Sequence, residues 1–343
     1  MEVAEAVRRM GLAERYRDRD WTTAVRVTDT AVRRAAPHWL TRLAEALLAV
    51  PRPTYPQRFG FEAALRRLAT TPGDPGRVTF VRSAARRGLA WGEVRYGLPE
   101  VAAYLAMAQR ETDLLPVFAG AEATDELAAC LWQEMVMRTD ATEAVAGEFA
   151  DRLAAAGHPL SVLPRTRTAL ERETTAAVKL PVAGAARVTC TAERPLGVHP
   201  WPGVDADCAD AWLFTLEGPL DGFGAAELRA LGPRSAGSSF VRVSRIGGGD
   251  ALRKLHETAS SGPVYGPRKF AAYGRLAAWE CLAALVGVDA LDFAAVESAA
   301  RECTFLSYVS DWHIQLADSL DTGLAALWPD RRTVTLIAAT DSD

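Results

Sequence analysis

Near residue 181 the chain changes its hydrophobic period, and that change constrains its fold more than any other feature. Before it, apolar residues recur at i, i+3, i+4 and i+7 in TAVRVTDTAVRRAA, HWLTRLAEALLAV and TDELAACLWQEMVMRTDATEAVAGEFADRLAAAG, the spacing of amphipathic helices. Pro- and Gly-rich joints at Pro51–Pro56, Thr70–Gly76 and Gly157–Pro159 separate these segments. Thr124, Asp125 and Glu126 together mark a helix start. After the change come short, β-branched or aromatic runs bounded by Gly or Pro: RVTCTA (Arg187–Ala192), AWLFTL (Ala211–Leu216), SFVRVSRI (Ser239–Ile246) and RTVTLIA (Arg332–Ala338). From Asp250 to Trp328 the pattern reads as helical again. The expectation is a predominantly helical α+β protein. Residues 1–160 form an irregular helical array, and residues 161–343 form an α+β domain with a small sheet of about four strands. No fixed solenoid period recurs.

Composition narrows the function classes. A net charge of −4 provides no basic field for nucleic acid, and only three of the 39 basic residues are lysine. Five widely spaced cysteines, none in a CxxC pair, fit reduced thiols better than disulfides or a thiolate zinc site. The charged N-terminus lacks the apolar core of a signal peptide, and LAEALLAV is too short to span a bilayer. The expectation is a cytoplasmic protein with neither nucleic-acid nor membrane partners. HExxH, GxSxG and a phosphate-binding GK[ST] are absent, so no cofactor or metal is expected. Asp205, Asp207 and Asp210 lack the Gly and terminal Glu of a calcium loop and read as a solvated acidic turn.

Three segments carry candidate chemistry. In the first, a strand with Arg245 runs into Gly247, Gly248 and Gly249 and then a helix capped at Asp250, a join able to hold an anion on backbone N–H groups. It lacks the third Gly of a dinucleotide fingerprint, so a plain tight turn competes with the anion reading. The second, from Ala259 to Gly287, is a Ser/Gly/Pro loop followed by a helix from about Arg268. It gathers Tyr265, Arg268, Lys269, Tyr273, Arg275, Trp279 and Glu280, with Arg275 and Trp279 placed i,i+4 for stacking. A packed helix with an ion-paired rim is the competing reading. The third, DWHIQLADSLDTGLAAL, reads as a helix placing His313 toward the core and Asp321 on the flank of the apolar stripe. The two would then lie ~12 Å apart along the axis, too far for a dyad. His313 is either a satisfied core histidine or a general base. His256 reads as a helix-end residue complementing the dipole, and His199 has no assigned role.

AYGRLAAWECLAALVG and the ending DWHIQLADSLDTGLAALWPDRRTVTLIAATDSD resemble an uncharacterised actinobacterial family, a domain of unknown function. The resemblance rests on a GRLAAW-like helix, a Trp-containing helix ending in an Asp-x-Gly-Leu turn, and a Thr-Asp-x-Asp terminus. The matching positions are Gly274, Arg275, Trp279, Trp312, Asp321, Gly323, Thr340, Asp341 and Asp343. It covers roughly the last quarter of the chain and departs at His313, where the family carries an aromatic residue. It implies a cytoplasmic bacterial protein accompanying specialised metabolism, and it brings no activity.

Two function classes follow. The first is a metal-independent small-molecule enzyme or binding protein. Arg245, Gly248, Arg268, Lys269, Arg275, Trp279 and Trp312 would hold an anionic substrate, and Tyr265, Tyr273, Glu280, His313 or Asp321 would move protons. It requires these groups to share one pocket that contains at least Arg275 and Trp279. The second is a non-enzymatic interaction or regulatory protein that binds a protein partner in a groove of the helical N-terminal half, with Trp21, Trp39 and Trp91 on one face.

Overall fold

A computed structural model describes residues 2–13, 32, 35–91, 97–139, 143–201, 208–263, 269–289, 291–313 and 321–341. The chain divides into two compact units, Met1–Ser161 and Val162–Asp343. No helix among the described residues is long and apolar enough to cross a membrane.

The first unit contains α1 (Val3–Ala13), α2 (Pro37–Leu48), α3 (Tyr55–Ala69), α4 (Pro75–Gly88), α5 (Leu98–Ala108), α6 (Glu111–Ala119), α7 (Glu126–Arg138) and α8 (Glu143–Ala155). Prolines open four of these helices, where the missing N–H is not needed. Asp125 caps α7 and is buried; Arg82 and Arg86 of α4 pair with it, so one carboxylate ties a helix start to a neighbouring helix. The predicted helix TAVRVTDTAVRRAA lies almost wholly outside the described residues.

The second unit adds α9 (Ala169–Arg172), α10 (Ala225–Leu231), α11 (Gly248–Ser261), α12 (Phe270–Val286) and α13 (Phe293–Glu302) around a sheet. Its strands are β1 (Val178–Lys179), β2 (Cys190–Pro195), β3 (Ala209–Leu216), β4 (Phe240–Ile246), β5 (Thr304–Ser310), β6 (Thr322–Leu327) and β7 (Thr333–Ala339). The order is β1-β4-β5-β6-β7-β3-β2, and every neighbouring pair is antiparallel. The fold is therefore mixed α+β with seven strands, which corrects the expected small sheet of about four.

The missed strands have a physical explanation. All six residues of β6 and the last six of β5 are buried, because helices cover both faces of the sheet centre. A strand covered on both faces loses the alternation that identifies strands in sequence. TGLAAL in particular satisfies a helical pattern equally well. The expected helix over 311–327 is thus replaced by a turn at Asp311–His313 and by β6; residues 314–320 lie outside the described set.

α11 and α12 pack on β5, β6 and β7. On the opposite face, Phe223, Ala225, Leu228, Leu231 and Ala236 close a core over Phe214, Leu306, Tyr308, Ala325 and Leu336. β5 ends, β6 begins, β7 ends and β3 begins at one common end of the sheet, as the pairs Tyr308↔Gly323, Thr322↔Ala339 and Ala209↔Ala339 require.

Candidate functional site

The described members of the predicted site are engaged in several separate places. Arg275 is 1% exposed. Its Nε and Nη2 hold Glu171 at 2.7 and 2.8 Å, and it donates further to the carbonyls of Pro164 and Thr166 at 2.9 and 3.1 Å. Trp279 is fully buried, packs edge-on against Phe293, and donates its Nε1–H to the same Glu171 at 3.0 Å. Burial raises the Glu171 pKa, but the Arg275 hydrogen bonds and charge outweigh it and hold the carboxyl below the usual range. Arg275 and Trp279 therefore clamp the 164–171 segment to α12.

The glycine turn is likewise filled by protein. A Cβ at Gly249 would lie 2.6 Å from the Glu173 carbonyl oxygen and 2.7 Å from that of Leu170, and one at Gly248 would lie 3.1 Å from the Ala300 carbonyl oxygen. Asp250 does not cap the helix, which starts two residues earlier with Gly247 as N-cap; it accepts a hydrogen bond from Thr175 N at 3.0 Å. The glycines let the 170–175 segment and α13 approach the helix, occupying the space an anion would need.

The remaining predicted residues are scattered. Arg245 is exposed on β4, toward the β1 edge of the sheet. Tyr273 and Lys269 are half-buried, and burial lowers the Lys269 pKa. Tyr265 and Arg268 lie outside the described residues, as do Asp205, Asp207 and Asp343. His256 lies within α11, its Nε2 3.3 Å from the Ala271 carbonyl oxygen.

A different cleft, of about 970 Å³, opens along the start of β3. Pro195, Leu196, Val198, Trp212 and Pro233 supply apolar wall; Glu193, His199, Asp210, Arg234 and Glu280 supply polar groups. Among the described residues, Glu280 is the one predicted residue that lines it. Successive residues of β3 face opposite sides, so Asp210 and Trp212 look toward the 232–234 turn while Ala209 and Ala211 look toward α12.

Asp210 was expected in a solvated acidic turn, but it is 4% exposed. One oxygen accepts Trp212 Nε1–H at 2.6 Å and the other accepts Ser235 N–H at 2.6 Å. Among the described residues no cation pairs with it. Arg234 donates to the Ala209 carbonyl at 2.7 Å and lies over the Trp312 ring, so its guanidinium is pinned beside the cleft. His199 accepts from Trp201 N–H on Nδ1 and reaches the Ala338 carbonyl from Nε2 at 3.0 Å; burial lowers its pKa, so the ring is neutral and committed.

Ser235 carries the network inward. Its hydroxyl meets Tyr308 Oη at 2.7 Å, and its carbonyl accepts Ser310 Oγ–H at 2.6 Å. Ser310 N–H in turn donates to His313 Nδ1 at 3.1 Å, which leaves the neutral ring's proton on Nε2. His313 is 3% exposed, and Nε2 has no hydrogen-bond partner among the described residues. Burial is the largest cause of its lowered pKa, about 4, although Asp321 acts in the opposite direction. The separation expected along a shared helix is thus corrected, since Asp321 acts electrostatically on the ring. With Nδ1 saturated and Nε2 protonated, His313 offers a hydrogen-bond donor at neutral pH and no basic lone pair. Thr340 Oγ1 donates to Asp321 at 2.7 Å, joining the C-terminal segment to the turn before β6.

Sequence reasoning missed Asp210, Trp212, Arg234, Ser235 and His199. The available signal was Asp210 and Trp212 at alternate positions of one strand, which places an acid and an indole on the same face. In the first unit Trp39 and Trp91 are half-buried, and the Trp91 ring packs edge-on against Phe61 at 4.9 Å; Trp21 lies outside the described residues.

The family of unknown function DUF6183 matches the chain over residues 22–197 and 191–343. The chain belongs to this family. The family membership expected from the C-terminal segments thus holds over nearly the whole chain. No match was found among curated proteins, and none among solved structures.

Proposed function

We propose that the second unit is a small-molecule enzyme or binding protein whose ligand sits in the cleft along β3. The observation that carries this reading is the cleft itself. Its size is in the range of metabolite sites, its wall is apolar and aromatic, and a buried carboxylate is fixed there by two N–H donors. Preorganised polar groups on strands hold geometry better than groups on loops. The inward chain from Ser235 to Tyr308, Ser310 and His313 keeps that carboxylate oriented.

In this reading Asp210 serves as the hydrogen-bond or proton acceptor at the wall, and Trp212 gives the ligand body a flat surface. The arginine-held anion expected from the sequence has little support, because Arg275 is spent on Glu171 and Arg245 lies toward the opposite edge of the sheet.

Native mass spectrometry of gently purified protein tests the reading. A small organic adduct should be present in the wild type and lost in Trp212→Ala and Arg234→Ala variants whose circular dichroism is unchanged. An adduct that survives both substitutions, or a protein that is empty and shows no thermal shift across a metabolite library, overturns it.

A further inference from the structure

The charge around the cleft points to the kind of molecule it takes. Asp210 is a buried carboxylate whose oxygens accept only from neutral N–H donors, the indole of Trp212 and the backbone of Ser235. Both oxygens thus serve as hydrogen-bond acceptors. Among the described residues it has no ion-pair partner, and a buried charge without a counter-ion is costly. The other acidic side chains at the cleft, Glu193 and Glu280, are exposed at its rim.

Among the described residues, two cations stand near these three carboxylates. Arg234 lines the cleft, but its guanidinium is held by the Ala209 carbonyl and the Trp312 ring. Lys269 acts on Glu280 and on Cys281, at the α12 side. Neither pairs with Asp210. The neutral, committed His199 adds no charge. The indole of Trp212, anchored by its own N–H to Asp210, lies beside the carboxylate, and an aromatic face attracts cations as well as apolar groups.

We propose that the cleft recognises an organic amine in its ammonium form, with the ammonium on Asp210 and the apolar body against Trp212. This rests on the reading of the cleft as the small-molecule site and specifies its ligand class. A bound ammonium supplies the counter-charge that no described residue provides, and Pro195, Leu196, Val198 and Pro233 give its body an apolar wall.

Titration calorimetry on the full chain at pH 7, with 2-phenylethylammonium and butylammonium against their isosteric carboxylates 3-phenylpropanoate and pentanoate, tests it. The ammonium probes should bind at least tenfold tighter than the carboxylates. Asp210→Asn should abolish that preference, while Glu217→Gln, at an exposed acid that does not line the cleft, should leave it within a few-fold. The circular dichroism of Asp210→Asn is recorded alongside. If that variant is misfolded, Trp212→Leu, which leaves the carboxylate in place, should still prefer ammonium but bind it more weakly. Tighter binding of the carboxylates overturns the amine assignment and leaves the cleft reading standing. Binding of neither class overturns the assignment, and if native mass spectrometry also shows an empty protein, the cleft reading falls with it.

Discussion

At the scale of single residues, burial and hydrogen-bond supply decide which of the polar groups are free to act. Arg275 and Trp279 have the residue types of a ligand site, yet the side chain that satisfies them is Glu171. Removing one partner of a buried ion pair leaves an uncompensated charge, so Glu171→Ala should cost about 3–5 kcal/mol of unfolding free energy in urea melts. Because the folded pKa of Glu171 is depressed, its contribution is complete above the unfolded value and disappears as pH falls through the folded one. His313 behaves differently. Its folded pKa of about 4 lies below the ordinary histidine value of 6.5, so the unfolded chain takes up a proton first as pH falls. Stability from this residue should be complete above about pH 6.5 and decline toward pH 4, by on the order of 3 kcal/mol in all. His313→Asn should flatten that part of the stability profile, and the ring resonances of the wild type should not titrate near pH 6.5.

At the scale of elements, small residues set how closely the layers approach. Gly274, in the GRLAAW segment, lies where α12 crosses α11; a Cβ there would come 2.9 Å from the Ser260 Cα and closer still to its hydroxyl. Gly323 of β6 lies under the Tyr308 ring of β5, with a Cβ falling 2.6 Å from a ring carbon. Gly274→Ala and Gly323→Ala should each lower stability by ~1–3 kcal/mol through overpacking, measured as a shift in denaturation midpoint. The segments that carried the family resemblance are therefore explained largely by packing. Gly274 admits a helix, Arg275 and Trp279 bind Glu171, Gly323 admits a ring, and Thr340 holds Asp321.

At the scale of the whole molecule, each unit closes its own core. In the second unit the cluster from Phe214 to Ala338 lies entirely within residues 162–343, as do the described residues lining the cleft. A chain of residues 162–343 should unfold in one cooperative transition and bind the ammonium probes with the affinity of the full chain. Loss of binding in a folded fragment would show that the first unit contributes to the site.

Local pattern alone was enough to reveal the helical first half, the change of period near residue 181, the four strands whose sequences alternate or are bounded by turns, and the start of α7 near residues 124–126. Such signals reside in neighbouring residues and survive without knowledge of the fold. Tertiary structure alone decided the remainder. It made strands of TFLSYVS and TGLAAL by covering both their faces, and it packed protein into the glycine turn. It joined Arg275 to a glutamate 104 positions away, and it buried Asp210 beside Trp212. A side chain's freedom to bind a ligand depends on which partner the folded chain brings within about 3 Å, and that partner is set by long-range contact rather than by spacing along the sequence.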